Sequence, residues 1–211
     1  MNWLAHLLLA EPTPEGTLGN LLGDLVKGEA RKSLSLELQR GLASHQAIDI
    51  YTDSHLIVKR SKGRIDRQYR RFAGILIDVF YDYILANNWQ DYCDIPLKQF
   101  TTTTYASWFD LETLPPYAKG VIQRLVAEDW LASYENLSGI ENTLARISWR
   151  LSRRSKRTYD LTPAIAELTD NYSALEQDFQ QFFPQLQTYI ISQQSTVSNL
   201  DSLFNGGSLQ I

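Results

Sequence analysis

Residues 75–85 read Ile-Leu-Ile-Asp-Val-Phe-Tyr-Asp-Tyr-Ile-Leu, and the fold class turns on that run. Leu76, Val79, Phe80, Tyr83 and Ile84 recur near a period of 3.6 residues, the repeat of an amphipathic α-helix. The same period runs through Leu34, Leu38, Leu42, Ile48 and Tyr51, and again through Val121, Leu125, Trp130 and Leu131. Alternation of β-branched with polar residues is scarce, and the one exception, Thr101–Thr104, reads as lying in or beside a helix. Punctuation agrees. Ser138-Gly139-Ile140-Glu141 has the spacing of a capping box, and Thr162 before Pro163 reads as an N-cap. Pro115-Pro116 separates two amphipathic stretches, and Pro184 is expected to break or kink the last long one. The predicted helices are 2–10, 18–30, 34–58, 62–88, 96–110, 116–134, 138–152 and 160–182, with a final one from 184.

A chain of 211 residues suggests one domain and buries enough surface to need no covalent staples. The prediction is an all-α, single-domain helical bundle over 1–190, followed by a loosely held tail at 191–211 rich in Ser, Gln, Asn and Gly. With one cysteine, Cys93, no intramolecular disulfide or thiolate zinc cage forms, and a reducing, cytoplasmic compartment is expected. No stretch reaches ~18 apolar residues, so no membrane span is expected. The opening MNWLAHLLLA has no Lys or Arg before its apolar run and is interrupted by His6; it reads as the first helix, not a signal peptide.

Chemistry is concentrated in four pairs of residues, each four apart: Asn2 and His6; Asn20 and Asp24; His45 and Asp49, continued by Asp53; Asp78 and Asp82. Residues four apart share a helix face. His6, Asp24, Asp49 and Asp78 also sit inside apolar runs, where a carboxylate must be paired, protonated or metal-bound. Helical bundles build metal sites from such inward-facing side chains. The expected ligands are His6, Asp24, His45, Asp49 and Asp78, with Asn2, Asn20 and Asp53 orienting them. Asp24, His45, Asp49, Asp78 and Asp82 are the expected catalytic set. Mixed carboxylate and imidazole ligands without thiolate are compatible with Mn²⁺, with Mg²⁺ or Fe²⁺ as alternatives. No Gly-rich phosphate loop, GxSxG motif or nucleophilic triad is present, which leaves a metal-activated water as the chemistry the inventory allows. Plainer readings compete: His6 as a hydrogen-bonded core histidine, an Asp as a helix cap, Asp49 and Asp53 as solvated face residues. His55 reads as a helix terminus, Cys93 as a loop or satellite-core thiol, and the five Trp as core and surface anchors.

The net charge of −4 hides an uneven distribution. Lys59–Arg71 holds seven basic residues and one acid, and Arg146–Arg157 holds six and none. These are either solvated helix faces or a footprint for an acidic partner. No helix-turn-helix, zinc-finger or RNA-binding signature is present, so nucleic acid is not the expected partner.

At these residues the chain resembles the acyl carrier protein phosphodiesterases, all-helical relatives of the HD metal-dependent phosphohydrolases. The matching stretches, in order, are MNWLAHLLLA, LGNLLGDLVKG at 18–28, HQAIDIYTDSH at 45–55 and DVFYDYIL from Asp78. The resemblance implies an HD-like fold and hydrolysis of the phosphodiester joining 4′-phosphopantetheine to a serine of holo acyl carrier protein, dependent on a divalent metal, commonly Mn²⁺. It also implies an acidic protein partner, for which Arg64, Arg67, Arg70 and Arg71 are the expected contacts. The family usually has Arg where this chain has Gln46, often a second His where it has Leu8, and His where it has Tyr83; these departures bear on substrate contact more than on metal binding. Two further readings are an HD-like phosphohydrolase for another phosphoester, such as a nucleotide, and a helical adaptor whose buried polar set is structural.

Overall fold

The computed structural model describes residues 1–108 and 113–205, with side chains up to 194. Nine α-helices are present among them and no strand: α1 Trp3–Leu9, α2 Pro14–Leu25, α3 Leu36–Ser54, α4 Leu56–Arg64, α5 Ala73–Asn87, α6 Leu97–Ser107, α7 Pro116–Ala127, α8 Leu137–Arg153 and α9 Ile165–Asn205. None is long and apolar enough to cross a membrane. The helix centred on residues 75–85 is α5. Its Leu76, Ile77, Phe80, Tyr81, Ile84 and Leu85 are all buried, because α1, α4, α8 and α9 pack around it. A helix apolar on nearly every side belongs in the middle of a bundle.

Helices α2 and α3 meet at their backbones. A Cβ on Gly19 would stand 2.5 Å from the Leu38 carbonyl oxygen, and one on Gly41 would stand 2.7 Å from the Gly19 Cα. No other residue type fits either position without moving a helix. Thr13 and Ser35 cap these helices by accepting hydrogen bonds from the Gly16 and Leu38 amides.

Local boundaries differ from the sequence reading at several points. The predicted helix 18–30 runs instead over Pro14–Leu25, and 116–134 ends at Ala127. The predicted helix 62–88 is not continuous: α4 ends at Arg64, Asp66 caps the 3₁₀ turn Arg67–Phe72 by accepting from the Gln68 amide, and α5 begins at Ala73. The predicted helix 34–58 divides at His55, the expected terminus, whose Nδ1 accepts from the Ile57 amide and caps α4. Ser138 does not open a capping box; α8 starts at Leu137 after Asn136. Asp160, not Thr162, does the capping near α9, accepting from both the amide and the hydroxyl of Thr162. Pro184 lies within α9 without ending it, and the helix continues into the segment read as a tail. A proline inside a helix costs about 3 kcal/mol. Here Phe179, Phe182, Phe183, Leu186 and Ile190 are buried on both sides of it, and their burial outweighs that cost. The last two residues of predicted helix 96–110 and the tail beyond 205 lie outside the described residues.

Ion pairing ties α4 to α9. Asp178 is buried and accepts from Arg60 Nε at 2.8 Å, Arg64 Nε at 3.1 Å and Ser61 Oγ at 2.7 Å. Burial alone would raise its carboxyl, but the bonds from Arg64, Ser61 and Arg60 outweigh it and hold the group below its ordinary value. A depressed carboxyl contributes stability above its unfolded value of ~3.9 and loses that contribution as pH falls through the folded one. Asp178→Ala is therefore expected to cost about 3 kcal/mol at pH 7, toward the low end for a broken buried pair because both arginines reach solvent. Urea unfolding between pH 2 and 7 should show a smaller acid-induced loss in the variant than in the parent.

Candidate functional site

Helix α1 is seven residues long and is anchored from a distance. Asn2 stands at its N-cap but makes no side-chain capping bond. The cap comes from α5: Asp82 accepts the Leu4 amide at 2.7 Å and the Ala5 amide at 3.1 Å. Burial pushes the Asp82 carboxyl up to about 7, although the two amides pull it down. Asp82, expected among the catalytic residues, is thus fully buried and occupied in holding α1.

That anchor aims His6 at α2 and α3. Its Nδ1 lies 3.0 Å from Asn20 Oδ1, and its Nε2 lies 3.1 Å from Asp49 Oδ1. Asn20 Nδ2 donates to Ser44 Oγ, so the network assigns the Asn20 oxygen to His6 and the proton to His6 Nδ1. The His45 ring stacks on the His6 ring with centroids 4.0 Å apart, and its Nε2 lies 3.2 Å from Asp49 Oδ2. Gly23 makes room for it, since a Cβ there would fall 2.3 Å from the His45 ring. The other ring nitrogen, His45 Nδ1, is buried with no hydrogen-bond partner.

Burial lowers the His6 pKa against the pull of Asp49, which favours the neutral ring. Burial would raise the Asp49 carboxyl, but hydrogen bonds from His45 and His6 outweigh it and hold it far below the usual carboxylate range. With the Nδ1 proton given to Asn20, the 3.1 Å contact between His6 Nε2 and Asp49 Oδ1 is filled either by a second ring proton, which makes the hydrogen bond that lowers Asp49, or by a cation in its place. His6, His45 and Asp49 each offer a ligand atom within 4.8 Å of the others, the one such group among the described residues.

Asp49 also faces a cleft of about 170 Å³ that Asp24, Asp53, Asp78, Met1, Asn2 and Arg150 help to line. Asp24 Oδ2 accepts from Trp3 Nε1 at 2.9 Å. Asp53 pairs with Lys62 Nζ at 2.7 Å. Asp78 lies 3.1 Å from the Met1 amine, with Asp49 at 3.6 Å. Burial would lower that amine, but Asp78 and Asp49 outweigh it and keep it above its ordinary value. Asp24 and Asp78, predicted as ligands with His6, His45 and Asp49, share the cleft but stand outside the compact group.

Two parts of the sequence reading change. Arg64, expected as a partner contact, is committed to Asp178, and Arg71 lies 5.8 Å over the Phe72 and Tyr159 rings. Arg67 and Arg70 are exposed on the 3₁₀ turn Arg67–Phe72. The cation that lines the cleft from a basic stretch is Arg150, on α8. Sequence reasoning placed it in a charged run but had no local signal that α8 returns to the N-terminal motifs. It also missed Gly23, Trp3 and the Met1 amine. Tyr83 packs edge-on against Tyr172 of α9, and Gln46 is exposed. Asp82→Ala would leave two buried amides of α1 unpaired, at a cost of about 2–4 kcal/mol. Amide exchange at Leu4 and Ala5 should accelerate more than exchange in α9.

A family model described as acyl carrier protein phosphodiesterase matches residues 1–186. An acyl carrier protein phosphodiesterase of Serratia proteamaculans is 32% identical over 188 residues, covering 88% of this chain and 95% of that protein. One of Shigella boydii has the same identity and coverage, and one of Escherichia coli O157:H7 is 31% identical over 188 residues at that coverage. No solved structure matches. With 186 residues under the family model and relatives aligned along nearly their whole length, the chain belongs to the acyl carrier protein phosphodiesterase family.

Proposed function

We propose that this protein hydrolyses the phosphodiester between 4′-phosphopantetheine and the serine of holo acyl carrier protein, releasing the apo protein and 4′-phosphopantetheine, and that it requires a divalent cation. The family membership supports the reaction. The observation that carries the metal requirement is the convergence of His6, His45 and Asp49, whose ligand atoms lie within 4.8 Å of one another beside the acidic cleft. His6, His45 and Asp49 are the residues that would hold the cation, with Mn²⁺ the first candidate and Mg²⁺ or Fe²⁺ next. When bound, it supplies Lewis acidity and a water acidic enough to act as a nucleophile near neutral pH.

The chain's own groups then divide the remaining work. Asn20 holds His6 in the tautomer that leaves Nε2 free to ligate. Gly23 seats His45 against Asp49. Asp24, Asp49, Asp53 and Asp78 in one small cleft would repel a phosphodiester, so Arg150 is the side chain placed to attract it. The proposed setting is the cytoplasm, as the single half-buried thiol of Cys93 suits a reducing compartment. For the acidic carrier protein, the exposed Arg67 and Arg70 are the contacts that survive from the first basic stretch.

Intact-mass analysis of holo acyl carrier protein incubated with enzyme and Mn²⁺ should show loss of the phosphopantetheine mass, and excess chelator should abolish it. His6→Ala and Asp49→Ala should each lower kcat/KM by about 10²-fold or more and reduce bound metal in the purified protein. An enzyme that releases phosphopantetheine equally well with chelator overturns the metal assignment. Separately, reversing Arg67 and Arg70 to Glu should raise KM for the carrier protein with little change in kcat. Salt well above ~0.15 M should produce the same effect in the unmutated enzyme.

A further inference from the structure

Beside the acidic cleft lies a larger groove of about 390 Å³ between α7, α8 and the first residues of the chain. The two depressions share Asn2, Asp24, Ile147 and Arg150, so they form one continuous surface with a charged end and an aromatic end. Trp3 and Trp130 stack beneath the groove, 6.0 Å between centroids and nearly parallel. Arg146 lies 4.0 Å over the Trp130 ring. Trp149 and Tyr117 stand at the rim, 60% and 54% exposed. At the junction with the cleft is Asn2, whose Nδ2 is buried near the Tyr134 hydroxyl but makes no hydrogen bond of good geometry. An unpaired buried donor is costly, and an oxygen from a bound molecule would satisfy it.

Each part restricts the occupant. Aromatic walls suit an uncharged chain with apolar surface. Arg150 at the inner end, with Arg146 and Arg124 along the groove, suits a molecule whose one charged terminus is anionic. The Asn2 amide suits an oxygen next to that terminus. Resting on the reaction proposed above, we infer that the groove holds the pantetheine arm of the substrate: the phosphate sits at Asn2 and Arg150, and the amide-bearing chain runs past Arg146, which covers the buried Trp130 ring, toward the exposed Trp149 and Tyr117. The serine side of the phosphodiester then leaves through the acidic cleft.

Free pantetheine, which lacks the phosphate, is the probe, with adenosine as a flat competitor. Equilibrium dialysis against the full chain should show saturable pantetheine binding. Ala145→Phe fills the groove from an exposed position on α8, and Trp149→Ala removes a wall; neither side chain supports the core. With melting temperatures matching the parent, both variants should weaken pantetheine binding by about tenfold and raise KM for holo acyl carrier protein similarly, with kcat within about twofold. Unchanged pantetheine affinity in both variants overturns the assignment. So does adenosine binding tighter than pantetheine that the variants abolish, which would give the groove to a base. If the parent binds pantetheine but leaves the holo carrier intact, the proposed reaction fails and the groove assignment stands. If it hydrolyses the carrier without binding pantetheine, the reaction stands and the groove assignment fails.

Discussion

Backbone contact between α2 and α3 is the constraint on which the rest depends. Gly19 and Gly41 remove the side chains that would hold the helices apart. One turn further along α2, Gly23 is close enough to α3 for the His45 ring to lie on its Cα. The same approach sets Asn20 beside Ser44 and turns its oxygen to His6. A side chain at Gly19 or Gly41 would separate two helices by an ångström or more and alter each of these distances. The glycines hold no ligand and touch no substrate, yet the polar geometry follows from them.

The chain spends its buried charge in two ways. Asp82 and Asp178 are surrounded: the first by the amides of α1, the second by two guanidinium groups and a hydroxyl. Their partners are all protein, and they hold helices together. Asp24, Asp49, Asp53 and Asp78 face a common space, where Arg150 and the Met1 amine are the cationic groups lining it. An excess of negative charge facing an opening is electrostatically unfavourable until a cation enters. Carboxylates gathered at a cleft and only partly offset by their partners mark a functional position more sharply than burial alone.

Helix type was legible because periodicity is local: the apolar residues of α5 repeat at 3.6 whatever surrounds them. His55 as a terminus was legible for the same reason. Where one helix ends and the next begins was less so: predicted 34–58 divides in two, while the helices predicted on either side of Pro184 are one. The i, i+4 pairs identified polar faces, but a pair does not say what its face meets. Asp78 and Asp82 are one turn apart on α5, yet one reaches the cleft and the other caps α1. That distinction depends on where α1 docks, 78 residues away in sequence. Arg64 shows the same limit, since its partner Asp178 lies 114 residues on. Pro184 was read as a break because local chemistry disfavours it, and tertiary burial of its neighbours prevailed.

The distant cap on α1 also orders the protein's assembly in time. A seven-residue helix is marginal by itself in water, and this one lacks a cap of its own. Its amides gain partners only when Asp82 has been synthesised and α5 has formed. The residues of α1, including His6, therefore wait for the fifth helix before they settle. Contacts of such long sequence separation slow folding, and an apolar segment left waiting is exposed to aggregation. Leu4, Leu7 and Leu9, all buried in the finished protein, are the apolar side chains left exposed until α5 is in place.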